Sequence, residues 1–319
     1  MSGISVGDVL AREDLVTDLS YLQAVVIGAL QGVTELFPVS SLGHSILVPA
    51  WIGGSWGRLV TQSGTADSGS SPYLAFIVAL HVATAVALLV FFARTWVEVI
   101  GAFLTVVRTR RVETSTQRLA LLIVVATVPV GITGLALEHT LRTLFAKPLA
   151  AAIFLTLNGV ILLAGERLRR RSVARADVRV TDDRSTTDAE TGRPLESLAY
   201  GEAALIGVFQ TFALLAGISR SGIAMVGGLL RGLDHEDAAR FSFLLATPVI
   251  FAAGVLKLPS LFGPAGQGIG GQVVVGALVA GVAAYGAVRF LTRYFTTRTL
   301  TPFAVYCLVA GVASIVRFA

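Results

Sequence analysis

Residues 31–44 read QGVTELFPVSSLGH, in the middle of an apolar stretch that runs from Leu22 to Ile52. Glu35 and His44 fall where a lipid-facing helix should be cleanest, and Pro38 lacks a backbone donor and clashes with the turn before it. A straight crossing does not fit. Gln31 and Glu35 are four apart and share a helix face. After the break Ser40 or Ser41 can cap a second helix, which leaves free N–H groups beside their hydroxyls. Ser41 and His44, three apart, share a face if that helix begins there. A second interruption lies in the apolar stretch 203–230, where residues 210–222 read QTFALLAGISRSG. Gly217 and Gly222 bracket Ser219, Arg220 and Ser221, which permits a tight turn and close backbone approach by a ligand. Both stretches read as broken, re-entrant helical hairpins.

The rest of the chain makes this a membrane question. Of 319 residues, 54% are hydrophobic and only 14% charged, and the mean hydropathy is +0.77. A soluble domain is about a quarter charged, so an ordinary soluble enzyme, a disordered chain and a disulfide-stapled module are excluded. The net charge of +5 marks cytoplasmic loops in such a chain rather than a nucleic-acid surface, and no nucleic-acid partner is expected. The lone Cys307 lies in an apolar run, so no internal disulfide forms. Asp8, Glu13, Asp14 and Asp18 against Arg12 give the start of the chain the wrong sign for a cleavable leader.

Six runs are long and apolar enough to cross a bilayer, over residues 73–92, 119–137, 149–165, 241–258, 273–291 and 303–318. The expected fold is an all-α polytopic membrane protein of six transmembrane helices plus two re-entrant hairpins. If the hairpins return to their own side, eighteen Lys and Arg residues fall on one face and six on the other, with Arg220 inside the second hairpin. That bias puts the larger set in the cytoplasm and both termini outside. One hairpin plus three spans (20–165) is followed by a linker (166–200) and again by one hairpin plus three spans (201–319). Three is odd, so the halves form an inverted-topology repeat, an arrangement that places sites near mid-membrane where broken helices meet. The linker, with Arg167 and Arg169 to Arg171 followed by Asp182, Asp183, Asp188 and Glu190, reads as a solvated cytoplasmic segment. The Gly- and Ser-rich stretch 53–72 reads as a flexible outer loop.

An ionised group at the bilayer centre costs about 2.5–3.5 kcal/mol on insertion scales, so such groups are rare without a task. Free amides, hydroxyls and an imidazole in the first hairpin suit a phosphate group. Arg220 presents a planar fork that matches phosphate oxygens. The alternatives are structural: a capped kink with a satisfied histidine, and an intramembrane ion pair between Arg220 and Glu35. His81 can line the same cavity or be a hydrogen-bonded core residue. His235, in Leu233-Asp234-His235-Glu236-Asp237, reads as an interfacial helix start, with Asp234 as cap and Asp237 as its capping-box partner.

QGVTELFPVSSLGH and GISRSG, at this separation, resemble the motifs of the bacterial undecaprenyl-diphosphate phosphatases, the bacitracin-resistance family. The likeness extends to RFSFLLATP (240–248), LHVATA (80–85) and TPFAVY (301–306). The resemblance implies dephosphorylation of undecaprenyl diphosphate to the monophosphate, recycling the lipid carrier of cell-wall synthesis. It further implies a divalent metal, Mg²⁺ or Ca²⁺, and a multi-pass protein of the bacterial plasma membrane whose site opens toward the outer face. Its catalytic positions fall on Glu35, Ser41, His44 and Arg220, with Glu35 as the metal-holding carboxylate. Gln31, Ser40, His81, Gly217, Ser219, Ser221 and Gly222 form the expected substrate-binding set. Some members carry a second glutamate where this chain has Gln31, and Ala216 replaces the proline usual before Gly217.

On this reading Arg220 holds the terminal phosphate, Glu35 holds the metal or orients His44, and His44 is nucleophile or general acid/base, with Ser41 a candidate nucleophile. Covalent histidine, covalent serine and direct attack by water all remain open. The partners expected are a polyprenyl diphosphate and the bilayer, with a homodimer a further candidate. Type-2 phosphatidic-acid phosphatases fail as a rival because they need a histidine after the Ser-Arg pair at a spacing His235 does not offer. A polyprenyl-phosphate transporter or flippase is the alternative from another class, since inverted repeats with broken helices suit transport.

Overall fold

The computed structural model describes residues 19–65, 72–145, 147–180, 192–263 and 266–319. The acidic start of the chain and the acidic part of the linker, from Asp182 to Glu190, lie outside the described residues. Among the described residues the chain is helical, with no strand. The helices are α1 (Tyr21–Thr34), α2 (Ser41–Ile52), α3 (Gly54–Thr65), α4 (Pro72–Phe91), α5 (Ala93–Thr109) and α6 (Ser115–Phe145). They continue with α7 (Pro148–Val180), α8 (Tyr200–Thr211), α9 (Arg220–Leu230), α10 (His235–Lys257), α11 (Gly270–Tyr294) and α12 (Thr301–Phe318).

Six of them are long and apolar enough to span: α4, residues Ser115–Ala136 of α6, Pro148–Ser172 of α7, His235–Gly254 of α10, α11 and α12. All six runs read from the sequence are there. The helices flanking the two breaks are different. α1 has 14 residues, a rise of about 21 Å against about 30 Å of hydrocarbon.

The two breaks are built alike. Ser40 caps α2 by accepting from Gly43 N (3.2 Å), and Ser219 caps α9 by accepting from Gly222 N (3.1 Å). Each cap lies nine residues after a buried glutamine, Gln31 or Gln210. α1 packs along α11, and α8 along α6. α12 lies along α7, α4 packs on α10 and α11, and α9 is wedged between α7 and α10. The main core runs through these contacts, with Leu155, Leu162, Met225, Phe243 and Leu244 fully buried.

Small residues set the α1–α11 distance, as the small-residue stripe Gly276, Ala280, Ala284 suggests. A Cβ on Gly32 would press on the Ala280 carbonyl and stand 2.7 Å from the Ala283 Cβ. Gly32→Leu is therefore expected to push α1 off α11 and destabilise the protein by at least about 2 kcal/mol. A thermal melt in detergent checks this, and a midpoint equal to wild type counts against the packing.

Four sequence readings need correction. The stretch 53–72 is not a loop throughout, because α3 occupies Gly54–Thr65 with Leu59 and Val60 buried against the bundle. Nor is the linker solvated along its length. α7 continues as helix to Val180, and residues 193–200 are docked, with Leu195 and Leu198 fully buried. Arg193 bonds Glu202 (3.1 Å) and the Ser197 carbonyl (2.6 Å), while Arg118 bonds the Leu198 carbonyl (2.8 Å) and lies over the Tyr200 ring. Asp234 does cap α10, accepting from Asp237 N at 2.7 Å. The Asp237 carboxylate, however, accepts from Leu195 N (2.9 Å) and so ties down the linker instead of closing a capping box. His235 starts α10 but is buried, bonded to Glu166 at 2.8 Å.

Candidate active site

Glu35 closes the last turn of α1, its backbone N–H still bonded to the Gln31 carbonyl. Burial at this position is tolerated because both carboxylate oxygens are satisfied. Oε2 accepts from the Ser41 hydroxyl and from Gln31 Nε2 at 3.0 Å, with His81 Nε2 at 3.4 Å. Oε1 accepts from Arg220 Nη2 at 2.7 Å, across 185 residues of sequence. Gln31, Glu35, Ser41, His81 and Arg220 are thereby gathered in one place by α1, α2, α4 and α9. The ion pair entertained as a structural alternative is real. It does not exhaust the guanidinium, because among the described residues the buried Arg220 Nη1 has no partner, nor has Gln31 Oε1.

Ser40 and the second break hold this cluster together. Ser40 adopts φ +69°, a conformation rare for a residue with a Cβ. Its hydroxyl, besides capping α2, accepts from Gly217 N at 3.1 Å and so ties the two breaks. Gly217 itself sits at φ +117°. The Ser219 and Ser221 hydroxyls are 3.0 Å apart and both reach the Phe37 carbonyl, at 3.4 and 3.2 Å. Their partners are thus the first break itself, and Gly222 N is taken by the cap. Arg220 keeps an unbonded side-chain donor, Nη1, among the described residues.

His44 lies one turn beyond Ser41 on α2. Glu35 does not orient it. Its Nδ1 is 2.6 Å from the Ser40 carbonyl and its Nε2 is 2.8 Å from the Tyr306 hydroxyl on α12. The two rings stack, with centroids 5.7 Å apart and planes inclined 13°. His81 bonds the Ile77 carbonyl through Nδ1 (2.8 Å) and keeps Nε2 toward Glu35, so it is both a bonded residue and a wall of the cluster.

Sequence reasoning passed over two residues. Tyr306 is one. Asn158 of α7 is the other: it accepts from Ser219 N (3.0 Å) and donates to the Pro38 carbonyl (3.0 Å), clamping one break onto the other. A signal for it existed, since Asn158 is the one asparagine of the chain and stands in the middle of an apolar span.

Chemically the cluster offers a buried cation with an unused donor, a hydroxyl bonded to a carboxylate, and a neutral-capable imidazole one turn away. Among the described residues no three His, Cys, Asp or Glu side chains group as a metal site. The oxygen donors at hand are Glu35 and the unpaired Gln31 Oε1, a hard set that suits Mg²⁺ or Ca²⁺ completed by phosphate oxygens and water.

The chain is similar to known proteins over nearly its whole length. Residues 24–313 match the family described as Bacitracin resistance protein BacA. The chain is 65% identical to a protein of Frankia alni named Undecaprenyl-diphosphatase 2, over 95% of this chain and 99% of the relative. It is 59% identical to proteins named Undecaprenyl-diphosphatase from Mycolicibacterium paratuberculosis (94% of this chain, 98% of the relative) and Mycobacterium avium (96% and 99%).

Proposed function

The chain belongs to the bacitracin resistance protein BacA family, and on that premise we propose how its cluster of buried polar groups works. The protein is a multi-pass membrane hydrolase, an undecaprenyl-diphosphate phosphatase. It removes the terminal phosphate of the lipid diphosphate and returns undecaprenyl phosphate. The observation that carries the mechanism is the unpartnered Nη1 of Arg220 beside the Ser41–Glu35 pair.

A lipid diphosphate brings two or three negative charges, and phosphoryl transfer is mostly positioning and charge stabilisation. Arg220 Nη1 binds a terminal phosphoryl oxygen while Nη2 stays on Glu35. Ser41 attacks the phosphorus and gives its proton to Glu35 Oε2, to which it is already bonded. The bridging P–O bond breaks and undecaprenyl phosphate leaves. Water then attacks the seryl phosphate, with His44 as the base that accepts its proton. Glu35 and Gln31 Oε1 would hold a divalent Mg²⁺ or Ca²⁺. Such an ion neutralises charge on the phosphoryl oxygens when bound.

The two breaks are read as re-entrant hairpins meeting inside the bilayer, in halves of inverted topology. Their matched caps and the equal spacing from Gln31 to Ser40 and from Gln210 to Ser219 support that reading. The eighteen-to-six Lys and Arg bias supports termini and site on the outer face.

The test is release of inorganic phosphate from a C15 or C55 prenyl diphosphate by the purified protein, followed by an acid quench with substrate labelled in the terminal phosphate. Label on a Ser41 peptide is expected. Label on His44 instead would move the nucleophile to the imidazole, and no adduct in wild type would replace the covalent step by direct attack of water.

A further inference from the structure

His44 cannot meet water directly in this structure, because Nε2 is already taken. A backbone carbonyl only accepts, so the 2.6 Å contact with Ser40 puts the proton of the neutral ring on Nδ1. Nε2 then carries the lone pair, and the Tyr306 hydroxyl at 2.8 Å is its donor. His44 is 4% exposed, whereas Tyr306 is 47% exposed. Of the two residues it is therefore the tyrosine that reaches the surface, and a phenolic oxygen retains acceptor lone pairs while its proton is on Nε2.

We propose that Tyr306 is a catalytic residue of this phosphatase, the relay through which the water of the second step passes its proton to His44. This rests on the reading of His44 as base. The attacking water gives a proton to the phenol oxygen as the phenol's own proton moves to Nε2. The water oxygen bonds to phosphorus, and the P–Oγ bond to Ser41 breaks. Its electron pair stays on Oγ, which regains the proton that Glu35 took in the first step. Tyr306 ends neutral and His44 ends as imidazolium, which loses its proton by the same route when phosphate departs.

The surroundings separate this role from a structural one. Trp51, seven residues after His44, donates to Ser314, eight residues after Tyr306, at 2.9 Å, and its ring meets Phe318 edge-on at 5.9 Å. Next to Tyr306, Cys307 lies 3.3 Å from Asn158 Nδ2. α12 is thus held on α2 and α7 by contacts at positions 307, 314 and 318, none of which uses the phenol, and removal of one phenolic oxygen leaves that framework in place.

The experiment compares wild type, Tyr306→Phe, His44→Gln and the double variant in nanodiscs, with kcat and KM for a prenyl diphosphate, and adds fluorotyrosines of graded acidity at position 306. Tyr306→Phe should lower kcat roughly 100-fold with KM within twofold. It should add nothing in the His44→Gln background, and kcat should follow phenol acidity across the fluorotyrosines. Wild-type kcat in Tyr306→Phe while His44→Gln is impaired would overturn the relay and leave the base intact. Losses that multiply in the double variant, or a kcat indifferent to fluorination, would overturn it equally. Full activity in His44→Gln would instead remove the base on which the inference rests.

Discussion

Arg220→Ala is expected to slow phosphate release at least 1,000-fold and to lower thermal stability at the same time. Two separate physical losses combine. The first is the donor: Nη1 has no partner among the described residues and is free for a substrate oxygen, and removing one preorganised donor to a developing oxyanion costs about 100- to 1,000-fold in kcat. The second is the charge on which Glu35 leans. The pair lies in the interior, with the Arg220 side chain 12% and the Glu35 side chain 6% exposed. Removing one partner of such a pair leaves an uncompensated carboxylate and destabilises by about 3–5 kcal/mol.

Companion variants pull these losses apart. Arg220→Lys keeps a positive charge and should recover much of the stability, yet a point charge cannot serve Glu35 and a phosphate as a planar fork does, so turnover stays depressed about 100-fold. Arg220→Met combined with Glu35→Gln removes both charges together. That double variant should melt near wild type and remain inactive. Turnover by Arg220→Ala within tenfold of wild type would refute the anion-binding role, whatever the melting curve does.

The meeting of Arg220 with Glu35 was legible before any coordinates because hydrocarbon is a strict solvent. An arginine and a glutamate in separate apolar stretches each demand a partner, and each is the other's nearest remedy in charge. The six spans were legible for a similar reason, since bilayer thickness fixes the length of an apolar helix. α3 was hidden because Gly54, Gly57 and Gly64 weaken local helix propensity, while its stability comes from burying Leu59 and Val60, a tertiary effect. α5 was counted only for its arginines. Yet Val97, Ile100, Leu104 and Val107 recur every three or four residues as an exposed apolar stripe, which is a helical signature in its own right.

Within the site, contacts between residues a few positions apart could be read from helical spacing, as with Gln31 and Glu35. Contacts that depend on register between distant helices could not. His44 and Tyr306 are 262 residues apart, and nothing in either segment names the other. Ser219 and Ser221 show the opposite hazard. Two hydroxyls beside an arginine look like anion ligands in a string of letters, but the Phe37 carbonyl, which also accepts from Val39 N, lies close by and both reach it.

The largest effect expected from a change that removes no chemical group is at Gly217. Gly217→Val should abolish phosphate release and destabilise the protein by several kcal/mol, although no functional side chain is touched. At φ +117° a Cβ crowds its own backbone, a penalty of about 1–2 kcal/mol for an L-residue. Space fails as well. A Cβ there would stand 2.7 Å from both Leu155 N and the Phe154 Cβ and press on the Ala151 carbonyl. These are backbone and near-backbone atoms of α7 that cannot swing aside, so overpacking adds about 1–3 kcal/mol. Relief can come only from moving the turn. The turn, however, carries the N–H that Ser40 accepts, and three residues later it carries Arg220. Any shift that spares α7 therefore draws the guanidinium away from Glu35. Gly201→Ala is the control, since a Cβ there meets nothing within 4 Å, and it should be neutral or slightly stabilising. Thermal melts and phosphate release on both variants decide the matter. A Gly217→Val protein that melts and turns over like wild type would mean that the second break tolerates a side chain, and that its grip on the first is not what aims Arg220.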